Sequence, residues 1–118
     1  MFALSSSLRF YLYHLPTDMR KSFCGLGGIV TNELGTDPSD GSVFVFVNKR
    51  RDRLKLLHWE PGGFVLYYKR LESGRLELPQ IDGKKRQLAW ADLTLIIEGI
   101  NVEKVKRKKR FYSTISGG

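Results

Sequence analysis

The sequence of 118 residues has one cysteine, two histidines and no long hydrophobic run. The single thiol, Cys24, excludes an internal disulfide and is typical of a reducing compartment. With His14 and His58 it supplies too few ligands for a four-ligand zinc site. No apolar run approaches the roughly 18 residues of a membrane span, and the N-terminus lacks the pattern of a secretory signal. We therefore predict a cytoplasmic protein without a membrane partner.

Negative charge is scarce in the middle of the chain. Lys49 to Arg86 contains eleven basic and five acidic residues, and Glu103 to Gly118 contains six basic and one acidic. The net charge of +8 is thus concentrated in two segments. A segregated positive field attracts polyanions, and it also attracts acidic proteins. The length and the 42% hydrophobic content fit one domain, which we predict at residues 1–102, followed by a basic flexible tail at 103–118.

Strand patterns dominate the stretch from Val43 to Pro79. Val43 to Val47 is continuously apolar, which predicts a central strand covered on both faces. Leu54 to Trp59 and Phe64 to Lys69 follow as strands, joined by a turn in which Gly62 takes a positive φ. A shorter strand is predicted at Leu76 to Leu78, and Pro79 ends it.

The remaining segments predict one further strand and two helices. Leu8 to His14 alternates between apolar and polar residues, as a half-buried strand does. A helix is predicted to begin at Thr17, with an apolar stripe of Met19, Phe23, Leu26, Val30 and Leu34, and to stop at Gly35. Its glycines, Gly25, Gly27 and Gly28, predict close approach to another backbone. A short second helix is predicted over Ala89 to Glu98. The fold class is therefore α+β: an antiparallel sheet of four to five strands, one helix packed across it and a short C-terminal helix.

Several of these segments resemble one known protein family. They include Thr17–Lys21 (TDMRK), Phe44–Phe46, Arg51–Lys55, Tyr68–Arg75 (YKRLESGR) and Ile97–Ile100, in order and with compatible gaps from Leu8 to Asn101. Together they resemble the accessory protein TnpB, the second open reading frame product of bacterial insertion sequence family sixty-six. The resemblance implies a role in transposition beside a separate, larger transposase, without a defined catalytic mechanism. Cys24 stands where the family usually has an acid, so no role of that acid is carried over.

The acidic residues do not indicate catalysis. A two-metal nuclease needs carboxylates grouped around its ions. Asp18 fits a helix cap, Asp52 lies among arginines in a turn, and Glu72 lies between Arg70 and Arg75, so charge balance explains all three. We predict no catalytic residues, no metal and no cofactor.

The basic residues carry the functional hypothesis. Arginine binds phosphate through two parallel hydrogen bonds and lysine binds it as a point charge. The predicted nucleic-acid-binding residues are Arg20, Lys21, Lys49, Arg50, Arg51, Arg53, Lys55, Lys69 and Arg70. Four aromatic residues are candidates for stacking on bases if they are exposed: Tyr11, Tyr13, Tyr67 and Trp59.

The resulting hypothesis is a non-enzymatic accessory factor that binds the ends of an element's DNA and assists its transposase. Two alternatives stay open. One is a protein-only adapter whose cations dock on acidic transposase surface, and the other is a small metal-dependent nuclease. The sequence leaves open the strandedness of the DNA, its sequence preference and the oligomeric state.

Overall fold

A computed structural model describes residues 5–98, which form one mixed sheet and two helices. The predicted tail at 103–118 lies outside the described residues. In chain order the elements are β1 (Phe10–Tyr13), α1 (Phe23–Asn32), β2 (Val43–Val47), β3 (Arg53–Glu60), β4 (Gly63–Arg70), β5 (Lys85–Leu88) and α2 (Trp90–Ile97). The predicted α+β class and the predicted second helix are confirmed.

The strand order is β4-β3-β2-β1-β5, so β2 is the central strand, as its apolar sequence predicts. All five residues of β2 are buried. Strand β1 pairs with β2 in parallel, with Phe10 opposite Val43, and the other three strand pairs are antiparallel. The expectation of a wholly antiparallel sheet is corrected on this point, because α1 lies between β1 and β2 and provides the crossover that a parallel pair needs.

Each face of the sheet carries its own apolar cluster. Leu26, Ile29 and Val30 of α1 pack with Phe44 and Phe46 on one face. Leu93 and Ile96 of α2 join the cluster on the other face, which consists of Phe10, Leu12, Val43, Val45, Val47, Leu54, Leu56, Leu76 and Leu88. Burial on both faces explains why β2 has no polar residue. We call these the α1 face and the α2 face.

The predicted start of the first helix is wrong, because α1 begins six residues later, at Phe23. Two contacts explain the delay. The Thr17 amide donates to the Val47 carbonyl at 2.8 Å, and the Asp18 carboxylate accepts from the Arg20 amide at 2.9 Å. A side chain that bonds the nearby backbone in this way competes with helix formation. The chain therefore passes the end of β2 without forming a helix and turns at residues 19–20 before α1 begins.

The helix end is confirmed, but part of the predicted packing is wrong. Gly35 takes φ +63°, and the Thr36 amide closes the helix by donating to the Val30 carbonyl. Phe23, predicted in the buried stripe, is 44% exposed. A Cβ placed on Gly27 would meet nothing within 4 Å, one on Gly28 would meet only the Asn32 side chain at 3.9 Å, and the atoms nearest to one on Gly25 belong to the Lys21 side chain, so the expected close approach to another backbone is wrong.

The predicted strand Leu76 to Leu78 is wrong, and the fifth strand forms instead at Lys85–Leu88. The Leu76 amide donates to the Arg51 carbonyl of the β2–β3 loop, and the Leu76 side chain is buried on the α2 face. This segment therefore fills part of the core on the α2 face and holds the β2–β3 loop by a backbone hydrogen bond. Neither helix within residues 5–98 has the length and apolar content needed to cross a bilayer.

Candidate nucleic-acid interface

Hydrogen bonds fix the backbone of the β2–β3 loop, residues 48–52, which carries several of the predicted binding cations. The Asn48 side-chain oxygen accepts from the amides of Asp52 and Arg53 at 3.1 and 3.0 Å. Its side-chain nitrogen donates to the Asp52 carboxylate at 2.6 Å. Arg51 takes φ +58°, which is uncommon for a residue with a side chain. One asparagine thus holds the loop in a conformation that the backbone alone does not favour.

The segment that follows β4 braces the same loop from outside. The Leu71 amide donates to the Asp52 carbonyl at 2.8 Å, and the Leu76 amide donates to the Arg51 carbonyl. Because Leu76 is itself buried in the core, the loop is tied to the body of the protein at two points. The positions of Lys49, Arg50 and Arg51 relative to the sheet are therefore fixed at the backbone.

An open cleft of about 680 Å³ lies beside the loop on the α1 face. We call it the basic cleft. Its lining residues are Pro16, Thr17, Asp18, Met19, Arg20, Asn48, Lys49, Arg50, Arg53 and Tyr68. Four of the nine predicted binding residues thus share one concave surface, although two separate segments of the chain, residues 16–20 and 48–53, supply them.

Arg20 lines the basic cleft and forms a salt bridge with the Asp18 carboxylate. Its guanidinium donates to both oxygens of Asp18, with a shortest distance of 2.6 Å. These hydrogen bonds lower the pKa of Asp18 to about 2, with a smaller contribution from the Lys21 charge. The pair is solvent-exposed and contributes little to stability. It does reduce the charge that Arg20 offers to an anion.

Arg53 and Arg70 lie directly opposite each other in the β3–β4 register. Like charges in this arrangement destabilise a sheet. Arg53 makes a long contact of 3.5 Å to the Tyr68 hydroxyl, and Arg70 is exposed at the sheet edge. The nearby Asp52 carboxylate has a lowered pKa, mainly through its hydrogen bond from Asn48 and partly through the charges of Arg53 and Arg50. An anion bound between the two arginines would relieve their repulsion.

Two predicted binding residues are used inside the protein. The Lys55 side chain is 7% exposed, donates to the Lys21 carbonyl at 2.8 Å and lies 4.8 Å from the centre of the Tyr68 ring. Lys69 lies on the α2 face, because side chains alternate along a strand, and it donates to the Ile97 carbonyl at 2.9 Å. The nine cations therefore do not form one surface.

Arg51 lies beside a second cleft of about 350 Å³, which Lys49, His14 and Gln80 also line. Lys49 lines both clefts, so it marks the boundary between them. The loop thus carries Arg50 on one side and Arg51 on the other. The role of each predicted residue in binding stays a prediction.

Tyr68 lines the basic cleft but is not among the four aromatic residues predicted to stack on bases. It is 49% exposed, whereas Tyr13 is 5% exposed and Tyr67 packs against the core of the α2 face. Tyr11 stacks on Phe44, and Trp59 contacts Phe64 edge to face. Tyr67 and Tyr68 are adjacent and chemically identical, so only the strand register separates the inward ring from the outward one.

The described carboxylates do not gather into a metal-binding cluster. Within residues 5–98, no three histidine, cysteine, aspartate or glutamate side chains lie close enough together to hold an ion. Asp18 is bonded to Arg20, and Asp52 is bonded to Asn48. Both carboxylates thus serve the local structure around the cations.

Comparison with known proteins gives a consistent set of relatives. The sequence model of the family described as IS66 Orf2 like protein matches residues 8–107. "Uncharacterized protein y4jC" of Sinorhizobium fredii (strain NBRC 101917 / NGR234) is 34% identical over 108 residues, which cover 92% of each chain. "Uncharacterized protein y4hO" of the same strain is 31% identical over 101 residues, covering 86% of this chain and 88% of that protein. No solved structure gives a significant match.

Proposed function

The chain belongs to the family of IS66 Orf2 like proteins, which implies an accessory role associated with transposition, and we propose that it binds the element's DNA. The basic cleft binds phosphates, and the bound protein assists a separate transposase. The protein contributes positioning and charge rather than bond cleavage. It acts in the cytoplasm, where the element's DNA lies.

One observation supports this proposal above the others. Lys49, Arg50 and Arg53 line one cleft, and the Asn48 side chain holds the backbone of the loop that carries the first two and leads into Arg53. A phosphate chain that meets cations on an ordered loop need not order that backbone on binding, which reduces the entropic cost of association. Each phosphate that a cation neutralises releases condensed counterions, so binding driven in this way weakens steeply as salt rises.

Charge reversal of the loop tests the proposal. The triple variant Arg50→Glu, Arg51→Glu, Arg53→Glu should lose most binding to short DNA duplexes and single strands at low salt, because repulsion replaces attraction at the cleft. Fluorescence anisotropy over a series of salt concentrations measures both the affinity and its salt slope. Thermal unfolding checks that the variant remains folded.

A single-residue comparison separates a local effect from the effect of total charge. Arg50→Glu and Arg9→Glu change the net charge equally and both residues are exposed, but Arg9 precedes β1 at the end of the sheet remote from the loop. Arg50→Glu should weaken DNA binding at least several-fold more than Arg9→Glu. Equal losses would mean that the basic cleft is not the contact.

The adapter alternative makes a different prediction from the same cations. If these residues dock on acidic transposase surface alone, the purified protein will bind no DNA. The two proteins would then copurify after nuclease treatment, and the triple variant would abolish that association. Metal-dependent cleavage of DNA that is lost in Asp18→Asn or Asp52→Asn would instead favour the nuclease alternative.

A further inference from the structure

We infer that Tyr68 is a stacking platform for an unpaired base, so that the basic cleft takes single-stranded DNA or the unpaired end of a duplex. The inference rests on the proposed function, since it assigns the part of the DNA that the cleft holds. It depends on the exposure of the ring, on what fixes the ring and on the charges around it.

Tyr68 leaves about half of its side chain open to solvent, at 49% exposure. Among the described residues, the large exposed apolar or aromatic side chains are Leu15, Phe23 and Tyr68, and of these Tyr68 lines the basic cleft. It lies on β4, which is an edge strand. Its ring is therefore open to a ligand from the side of the cleft.

The Tyr68 ring is restrained by contacts with Lys55 and Arg53. The Lys55 ammonium lies 4.8 Å from the ring centre and is itself fixed by its hydrogen bond to the Lys21 carbonyl. A cation over an aromatic face attracts the ring electrostatically, and it does so more strongly when it is withdrawn from water, as the largely buried Lys55 is. The contact between Arg53 and the Tyr68 hydroxyl adds a second restraint at the far end of the ring. A ring that is already restrained loses little freedom when a base stacks on it.

The groups around the Tyr68 ring complement both parts of a nucleotide, its base and its phosphate. A base presents a flat π-face, and the phosphate beside it is an anion. Tyr68 offers a stacking surface, while Lys49, Arg50 and Arg53 line the same cleft and offer phosphate-binding groups. Aromatic rings beside cationic grooves are how proteins bind single strands with little sequence preference. The cleft volume of about 680 Å³ lies within the range typical of ligand sites.

Duplex DNA does not satisfy this arrangement. In a duplex each base is stacked between its neighbours, and its faces are closed to a protein ring unless the base leaves the stack. The cations alone would serve a duplex equally well. The ring therefore adds a preference for unpaired nucleotides to a charge-driven affinity that both forms share.

Three substitutions of Tyr68 and one control separate stacking from other roles. Tyr68→Val removes the ring and keeps a residue that suits a strand. Tyr68→Phe removes only the hydroxyl, and Tyr68→Trp enlarges the stacking surface. Phe23→Val is the control, since Phe23 is 44% exposed and does not line the basic cleft. Each protein is titrated with a labelled oligothymidine, with a duplex of the same length, and with an abasic strand of the same charge.

We expect Tyr68→Val to weaken oligothymidine binding roughly five- to hundredfold and to change duplex binding less than about twofold. Tyr68→Phe should bind like the wild type, and Tyr68→Trp should bind as tightly or more tightly. The wild type should bind the abasic strand no better than Tyr68→Val binds oligothymidine. Phe23→Val should behave as the wild type on every ligand.

Other outcomes overturn the inference. If Tyr68→Val retains full oligothymidine binding, or if the wild type binds the abasic strand as tightly as oligothymidine, the ring does not stack on a base. If Tyr68→Val fails to fold, the abasic comparison and Tyr68→Trp still decide. A wild-type protein that binds no DNA would refute the proposed function as well, whereas binding that needs Arg50 but not Tyr68 would refute this inference alone.

Discussion

Asn48 determines how the charged residues of the β2–β3 loop are presented. Its side chain makes three hydrogen bonds to Asp52 and Arg53, and these hold Arg51 in a left-handed backbone conformation. A non-glycine residue in that conformation requires support from its surroundings. The sequence shows that the loop is basic, but it does not show that Arg50 and Arg51 lie beside different clefts.

At the residue scale, Asp18→Asn should strengthen DNA binding. The substitution removes a negative charge from the basic cleft and frees the Arg20 guanidinium, which Asp18 holds at 2.6 Å. We expect the affinity for oligothymidine to rise several-fold and the salt slope to steepen by about one. The low pKa of Asp18, about 2, means that its carboxylate is ionised at neutral pH, so the wild type carries this charge in any ordinary assay.

Asp37→Asn provides the control for that prediction. Asp37 is exposed, its carboxylate bonds Ser39, and it lies in the loop after α1 rather than at the cleft. The two variants change the net charge equally. A similar gain in affinity from both would indicate that total charge, and not the Asp18–Arg20 pair, sets the binding strength.

At the scale of elements, one side-chain contact joins β1 to the end of α1. The Tyr13 hydroxyl donates to the Glu33 carboxylate at 2.6 Å, and Glu33 is the residue that ends the helix. Burial first, and then the hydrogen bond to Glu33 and the charge of that carboxylate, raise the pKa of Tyr13 from 10.0 to about 12. The contact ties the C-terminal end of α1 to β1 of the sheet.

Tyr13→Phe should lower the unfolding free energy by about 1 kcal/mol at neutral pH. The loss is modest because the exposed Glu33 carboxylate regains water as a partner. A raised pKa in the folded state means that the wild type loses this stabilisation as the pH rises from 10 through about 12. Tyr13→Phe should lack that part of the alkaline decline.

Urea unfolding at several pH values measures this effect. Tyr68→Phe is a suitable comparison at neutral pH, because it removes an exposed hydroxyl and should change the unfolding free energy by less than about 0.5 kcal/mol. An alkaline decline that is identical in the wild type and in Tyr13→Phe would show that another group is responsible.

At the scale of the whole molecule, the basic residues fall into groups with different structural roles. Lys55 and Lys69 hold elements together, whereas Lys49, Arg50 and Arg53 are gathered at the basic cleft. Residues 103–118 lie outside the described residues, and their sequence adds six basic residues and one acidic residue. Positive charge alone strengthens binding to any polyanion and carries no sequence information.

Truncation after residue 102 should therefore weaken DNA binding without altering its preference. Six basic residues and one acidic residue are removed, so the salt slope should fall by up to about 0.9 for each phosphate that this segment neutralises in the full-length protein. The ratio of oligothymidine to duplex affinity should stay within about twofold of the full-length value, because Tyr68 and the cleft remain. A truncated protein that loses this ratio would assign the strand preference to residues 103–118.

Local signals in the sequence were enough for the elements whose own residues stabilise them. Val43–Val47 has no polar residue and is the central strand, Gly35 takes a positive φ just after the end of α1, and Trp90–Ile97 forms the second helix. The paired segments TDMRK and YKRLESGR were enough for the family. In each case the information lies in neighbouring residues, where composition and spacing express it directly.

Tertiary contacts decided the rest, because the determining partners are distant in sequence. The Thr17 amide bonds the Val47 carbonyl instead of starting a helical turn, so α1 begins later than predicted. The Leu76 amide bonds the Arg51 carbonyl instead of a neighbouring strand, and β5 forms from Lys85–Leu88. The grouping of Arg20 with Arg53 and Tyr68, and the diversion of Lys69 to the other face, follow from these contacts and from strand register. The sequence alone determined that the protein is basic and α+β, whereas folding determined which charges meet, since a cleft is built from segments that only the assembled sheet brings within reach.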